Sequence, residues 1–246
     1  MTLPLQDTVI VITGASSGIG LATSIKLAAL GANLALCDIN LPGLLSTLPL
    51  LTPRYHTISI CDVRSTDSVS KFISSVLRTH GHITHVFNCA GVNPTAVPTA
   101  SITDTYFDTL IDTNLKGTFN ITRASIPHLG RGSAFVNVSS VAGVRPLSEM
   151  AVYCASKYAV IGFSQCLALE LGPKGIRTNV VAPGYIHTPT SAGVLAGPEA
   201  LAEYANGVSL GRIGTAEEVA DVVAFLFSDE SRYMNGSVVE VNGGIK

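Results

Sequence analysis

The sequence predicts an α/β fold of the Rossmann type, a doubly wound, seven-stranded parallel sheet with helices on both faces. Three observations carry this expectation. Short β-branched runs alternate with longer helical patterns from end to end. The first strand runs into a glycine-rich turn, Thr13-Gly-Ala-Ser-Ser-Gly-Ile-Gly20, which opens a helix. No internal repeat, low-complexity tract or Pro/Ser-rich linker interrupts residues 1–246, so a single domain is expected.

Thr8 to Thr13 is a continuous apolar run, as a strand buried on both faces requires. The helical pattern after the turn reaches Leu30 and closes at Gly31, a residue suited to a left-handed C-cap. Asn33 to Cys37 and Tyr55 to Ile60 read as the second and third strands. Ser65-Thr-Asp67 opens a helix to about His80, with either Ser65 or Thr66 as its cap. His85 to Cys89 is the fourth strand, and Thr103 to about Leu129 makes one long helix or two. Ser133 to Val138 is the fifth strand. Met150 to Leu171 is helical and is stopped by Gly172-Pro173. Arg177 to Ala182, a helix from Ala216 to Phe227 after the Thr215 cap, and Val238 to Val241 complete the series. Such alternation requires right-handed crossovers between parallel strands. The one long irregular stretch, Pro183 to about Arg212, has the length of a binding segment, and about 185–212 is expected to be the substrate loop.

Hydrophobic residues make up 47% and charged ones only 13%, leaving apolar surface that a second subunit would cover; a homo-oligomer, tetramer or dimer, is expected. A net charge of -2 gives no electrostatic footprint for nucleic acid or for an anionic membrane. The mean hydropathy of +0.42 invites a membrane reading. Against it, no stretch of about 18 apolar residues runs without Gly, Asn or charge. Neither end matches a signal peptide or a C-terminal address. The five cysteines are isolated and form no C-x-x-C, which suits free thiols in a reducing, cytoplasmic setting. His56, His80, His82, His85 and His128 have neither ligand spacing nor suitable acidic neighbours, and no metal is expected.

Within the turn, Gly14, Gly18 and Gly20 permit a tight reversal and a close backbone approach, with Ser16, Ser17 and Ile19 between them. The spacing G-x-x-x-G-x-G departs from G-x-G-x-x-G, and a merely tight strand-to-helix turn is the alternative. Asp38 closes the second strand where a carboxylate would bond the adenosine ribose and repel a 2′-phosphate, which selects NAD. Its alternative role is to cap the helix after Leu41-Pro42. Asp62, with Val63 at the end of the third strand, is placed beside the adenine or serves only as a turn residue before the next helix.

Tyr153 and Lys157 stand four apart on a predicted helix and so share one face. A free tyrosine titrates near about 10, and an ammonium within several ångströms lowers that value. Such a pair can take an alcohol proton while hydride leaves for a nicotinamide, or run in reverse. On its own, the spacing is also common on helix surfaces.

The glycine turn, Asn88-Cys-Ala-Gly91, Asn114, Asn137-Val-Ser-Ser140, Tyr153 with Lys157, and Pro183-Gly184 occur in one order on successive elements. Together they resemble the short-chain dehydrogenase/reductase family, in its single-domain branch, from Thr8 to Gly244. The resemblance implies that Tyr153 is the catalytic acid/base and that Lys157 lowers its pKa and bonds the nicotinamide ribose. It implies that Ser140 bonds the substrate oxygen, while Ser139 supports the strand end. Asn114 matches an asparagine that holds a water in a proton relay, with a core or capping amide as the alternative. Asn88, Ala90 and Gly91 match the segment beside the adenosine, and Cys89 replaces a common Asn. Pro183, Gly184, Ile186 and Thr188 match the loop that holds the carboxamide. Asn242-Gly-Gly244 matches a structural turn, and His187 is left as a surface or hydrogen-bonding residue.

Val144, Leu147, Met150, Val194, Leu195 and Leu201 make the segments around the expected substrate pocket apolar. This suits a lipophilic secondary alcohol or ketone with a steroid-, terpenoid- or polyketide-like skeleton. Arg145 either holds a substrate carboxylate or is simply exposed. A β-ketoacyl carrier-protein reductase is disfavoured, because that group generally uses NADP. Two rivals remain: NAD-dependent chemistry without net redox (an isomerase, dehydratase or cyclase), and a dinucleotide-sensing binding module.

Overall fold

Residue alternation along the first strand decides which helices lie on which face. A computed structural model describes residues 4–93, 95–188 and 197–245. In Val9–Thr13 (β1) every residue is buried. Ile10 and Ile12 pack on one side with Leu27, Val219, Val223 and Phe227. Val9 and Val11 pack on the other with Phe72, Ile121, Leu167 and Leu171. The period of two therefore feeds two cores at once, as a sheet covered on both faces demands.

The first core is covered by Gly18–Ala29 (α1) and Ala216–Phe227 (α8). The second is covered by Thr66–His80 (α3), Gly117–Ser125 (α5) and Ala151–Leu171 (α6). The remaining strands of the main sheet are Asn33–Asp38 (β2), Thr57–Ile60 (β3), His85–Asn88 (β4), Ala134–Val138 (β5), Arg177–Pro183 (β6) and Val238–Val241 (β9). All pairs are parallel, in the order β3-β2-β1-β4-β5-β6-β9. The order reverses between β1 and β4, and that switch point opens a crevice at the strands' carboxyl ends. The expected seven-stranded doubly wound sheet is what forms.

Local signals fix several ends. The Ser65 side chain, rather than Thr66, accepts from Ser68 N at the start of α3, and Gly81 ends it at φ 79. Thr215 and Glu218 form a capping box on α8. The third strand starts at Thr57, not Tyr55, whose exposed ring instead meets His80 edge-on at 5.1 Å.

The long helical pattern resolves into a rod of three parts: Asp104–Leu110 (α4), a π turn over Ile111–Lys116, and α5. The stretch expected to be irregular after Pro183 contains two small elements and a helix. Ile186–His187 (β7) pairs with Gly214–Thr215 (β8), and Gly197–Asn206 (α7) lies between them. Two-residue strands and a mixed-polarity helix leave no periodic signal, which explains the difference. Val194 and Leu195 lie outside the described residues.

Leu41–Thr47 (α2) is capped by the Asn40 side chain, which accepts from Gly43 N, so Asp38 is not its cap. The stretch from α6 to Lys174 is long and apolar enough to cross a membrane, yet half of its apolar window is buried within the fold. It packs on the sheet and carries Tyr153 and Lys157.

Candidate active site

A cavity of about 750 Å³ opens at the carboxyl ends of β1, β4, β5 and β6. At one end lies the glycine turn. Gly14 and Gly18 sit at φ 67 and 52, a region that glycine enters at little cost. A Cβ on Gly14 would lie 2.9 Å from Ala90 Cα, and one on Gly20 would collide with the Gly14 carbonyl. The turn is therefore wrapped too closely for side chains. No side chain caps the start of α1 after Ser17, and no acidic residue occupies its first turn. Its free N–H groups, with Ser16, Ser17, Gly18, Ile19 and Gly20 lining the cavity, form a cradle for an anion.

Asp38 is fixed against this turn. One carboxylate oxygen accepts from Ser16 N at 3.1 Å and the other from Asn40 N at 3.0 Å. Thr13 Oγ1 accepts from both Cys89 N and Ala90 N at 3.0 Å, holding Ala90 and Gly91 on the wall beside the turn. Asp62 and Val63 line the same end. The Asp62 carboxylate takes a fork of hydrogen bonds from Arg64, at 2.9 Å from Nε and 2.8 Å from Nη2, and that guanidinium holds its pKa below the ordinary value. Arg64 itself lines the cavity and was not anticipated, although its position two residues after Asp62 is readable in the sequence.

At the other end, β5 delivers Ser139 and Ser140 and α6 delivers Tyr153 and Lys157. Ser140 caps a short 3₁₀ turn, Val141–Gly143, by accepting from Ala142 N at 3.1 Å, and both Ser140 and Tyr153 line the cavity, where the serine acts to lower the pKa of the phenol. Ser139 Oγ donates to the Lys157 carbonyl at 2.8 Å, so it ties strand to helix, as expected. The Lys157 ammonium donates to the Val138 carbonyl and lies 5.9 Å from the Tyr153 ring centroid.

Burial dominates both titrations. It pushes Lys157 down to about 8 and pushes Tyr153 up, while the neighbouring Ser140 acts downward on the tyrosine. For the tyrosine desolvation outweighs the rest, and the phenol stands above its ordinary 10.0. An oxygen placed between the Ser140 and Tyr153 hydroxyls would meet a donor and an acid/base at once.

Two of the anticipated catalytic and cofactor-binding residues, Asn114 and Asn88, do not line the cavity. Asn114, 1% exposed, sits in the π turn; its Oδ1 accepts from Val92 N at 2.8 Å and its Nδ2 donates to Val92 O and Ser156 Oγ at 3.1 Å each. With these bonds its amide is satisfied by protein, which is the core alternative. Its Oδ1 and the Lys157 Nζ would lie 3.1 and 3.5 Å from a Cβ on Gly91, so it still neighbours the lysine. Asn88 is buried beneath the wall, donating to Thr122 Oγ1 and Asn137 Oδ1.

Ala90, Gly91, Pro183, Gly184, Ile186 and Thr188 line the cavity as anticipated, while His187 is exposed and does not. Leu147 and Met150 line its apolar end; Val144 and Leu201 do not. Tyr185 and Tyr204, unforeseen, add a pair of rings with centroids 4.5 Å apart. Arg145 lies off the cavity, paired with Glu240 at 3.2 Å.

A family model described as enoyl-(acyl carrier protein) reductase matches residues 14–246. The 3-oxoacyl-[acyl-carrier-protein] reductase of Thermotoga maritima is 37% identical over 247 residues, 98% of each chain. The levodione reductase of Leifsonia aquatica is 36% identical over 255 residues, covering 99% of this chain and 96% of that protein. A short chain dehydrogenase from Burkholderia cenocepacia, solved in complex with NADP, superposes with a TM-score of 0.90 at 30% identity over 98% of each chain. The chain belongs to the short-chain dehydrogenase/reductase family. That places it among oxidoreductases that bind a nicotinamide dinucleotide.

Proposed function

We propose that this chain interconverts a secondary alcohol and a ketone on an uncharged, mostly apolar small molecule, with NAD as cofactor and Tyr153 as general acid/base. The observation that carries this reading is the convergence of Ser140, the buried Tyr153 and the buried Lys157 on one cavity, with the Lys157 ammonium 5.9 Å from the Tyr153 ring centroid. In reduction, Ser140 donates to the carbonyl oxygen and Tyr153 passes its proton to that same oxygen. In oxidation, the phenolate takes the proton back. The Lys157 charge favours that phenolate, and its anchor on Val138 holds the charge at a fixed distance. Asn114 fixes Val92 and Ser156 around the lysine through its bound amide.

A bound nicotinamide dinucleotide supplies the hydride in reduction and accepts it in oxidation. The uncapped N–H groups of α1, with Ser16 and Ser17, suit its pyrophosphate. Asp38 suits the adenosine ribose, with Asp62, Val63, Ala90 and Gly91 flanking the base. Pro183, Gly184, Ile186 and Thr188 suit the carboxamide end. The preference for NAD over NADP rests on Asp38, a fixed carboxylate that a 2′-phosphate would have to approach. Arg64, the guanidinium nearby, is committed to Asp62.

Steady-state kinetics with NADH and NADPH over a panel of alicyclic ketones tests the proposal. NADPH preferred over NADH would sink the cofactor assignment. A second reading, reduction of a 3-oxoacyl thioester, is favoured by the family description and the Thermotoga relative's name. Among the described residues at the substrate end, only Lys157 is charged, which favours a neutral substrate instead. Acetoacetyl thioesters included in the same panel separate the two readings.

A homo-oligomer, dimer or tetramer, in the cytoplasm completes the proposal. Phe119 on α5 and Tyr158 and Leu169 on α6 are large, apolar and exposed, with Leu169 81% accessible. Light scattering on a Leu169→Glu variant checks whether this face associates.

A further inference from the structure

After β9 the chain folds back in a tight turn, with Gly243 and Gly244 at φ 62 and 77. Gly244 N donates to Asn242 Oδ1 at 2.9 Å, and Asn242 Nδ2 donates to Glu240 Oε2 at 2.7 Å. Two segments far apart in sequence meet on this turn. On one side Ser209 N donates to Gly244 O at 2.8 Å, Leu210 N donates to Gly243 O at 3.1 Å, and Val208 bridges Ile245. These residues continue directly from α7, whose Tyr204 lines the cavity. On the other side Arg145 Nη1 donates to Ile245 O at 3.0 Å and Nη2 to Glu240 Oε2 at 3.2 Å. Arg145 N in turn donates to Val141 O at 2.8 Å, inside the short turn that Ser140 caps. Beneath both, a Cβ on Gly184 would lie 2.8 Å from Asn242 Cβ and 2.9 Å from Ile245 Cδ1, so the turn rests on a cavity-lining residue.

We infer that Arg145 is a positioning residue: by clasping the C-terminal turn it holds the Tyr204-bearing α7 at a fixed distance from the Ser140 segment and so sets the width of the substrate end. This rests on the reading of that end of the cavity as the substrate site. The planar guanidinium fork is pre-organised to hold two acceptors of different kinds at once, a carbonyl and a carboxylate, where a lysine ammonium is a flexible point charge. The pair is 45% and 34% exposed, and an ion pair in such a setting contributes little to overall stability. Removing it therefore loosens the wall and leaves the fold standing. Arg145 does not line the cavity, so its action passes through the turn.

Arg145→Met tests this with cofactor held saturating. The KM for ketone rises about tenfold while kcat and the cofactor KM stay within about twofold. Arg145→Lys restores part of the loss, and Glu240→Gln reproduces it in milder form. Hydrogen exchange on the NAD-saturated protein provides a readout that needs no substrate. The Ser209 and Leu210 amides exchange about tenfold faster in Arg145→Met, and the α6 amides do not change. Unaltered exchange at these two amides overturns the inference even if no ketone in the panel is turned over, and so does a kcat that falls in step with rising KM. An active enzyme with unchanged KM overturns it as well.

Discussion

The Lys157 ammonium donates to the Val138 carbonyl over 3.1 Å. That bond, with the one from Ser139 to the Lys157 carbonyl, pins the end of β5 to the N-terminal third of α6. It holds a cation in a buried position on the cavity wall, where desolvation outweighs the opposing effect of Cys89 and brings its pKa to about 8.

The pH dependence of stability follows from this position. The folded-state pKa lies below the ordinary 10.5, so between about pH 8 and 10.5 the unfolded chain holds more protons than the folded one. The contribution of Lys157 to stability therefore rises as pH climbs through that window and is a cost below it. Urea denaturation of the wild type and Lys157→Met should show their difference moving in favour of the wild type from pH 8 to 10. At about 1.4 kcal/mol per unit, the full swing over this window is at most about 3.5 kcal/mol.

Removing the phenol separates chemistry from binding. Tyr153→Phe should lower kcat by a factor of about 10² to 10⁴, the usual scale of general acid–base catalysis. NADH affinity, read by fluorescence titration, should change little. A variant that keeps near-normal kcat would remove Tyr153 from its proposed role.

Cofactor choice should turn on one carboxylate. Asp38→Asn keeps an acceptor for one of the two backbone amides but removes the charge. The ratio of kcat/KM for NADPH over NADH should rise by about ten- to a hundredfold, equivalent to about 1.4 to 3 kcal/mol. No change in that ratio would mean that discrimination lies elsewhere on the wall.

Gly14→Ala tests the glycine turn. It forces a side chain into φ 67 and sets a Cβ 2.9 Å from Ala90 Cα. The left-handed conformation alone costs about 1–2 kcal/mol. The melting temperature should fall, and binding of NADH should weaken by more than stability alone explains, because the cradle opens when Ala90 moves.

What could be read from sequence was local. The alternation in β1, the glycines of the turn, Asp38 at a strand end, and Tyr153 with Lys157 on one helical face all lie within a few residues of one another or on one element. The direction of a buried amide is not local. Asn114 spends its side chain on Val92 and Ser156, 22 and 42 residues away, and Asn88 spends its own on Thr122 and Asn137. Arg145 was open between two roles for the same reason, since its partners lie 95 and 100 residues on. The ring pair of Tyr185 and Tyr204 depends on α7, which the sequence did not mark as a helix.

The π turn at Ile111–Lys116 puts the two halves of the long helical rod out of phase. Its extra residue lets the residues near Thr109 and Thr113 face the cavity while α5 stays seated on the sheet. Deleting any one residue within it would restore a regular α-helix and swing everything upstream by about 100°. That part of the wall thus depends on how many residues the helix contains as well as on which they are, so length variation there is a route to a differently shaped binding site that no point substitution reproduces.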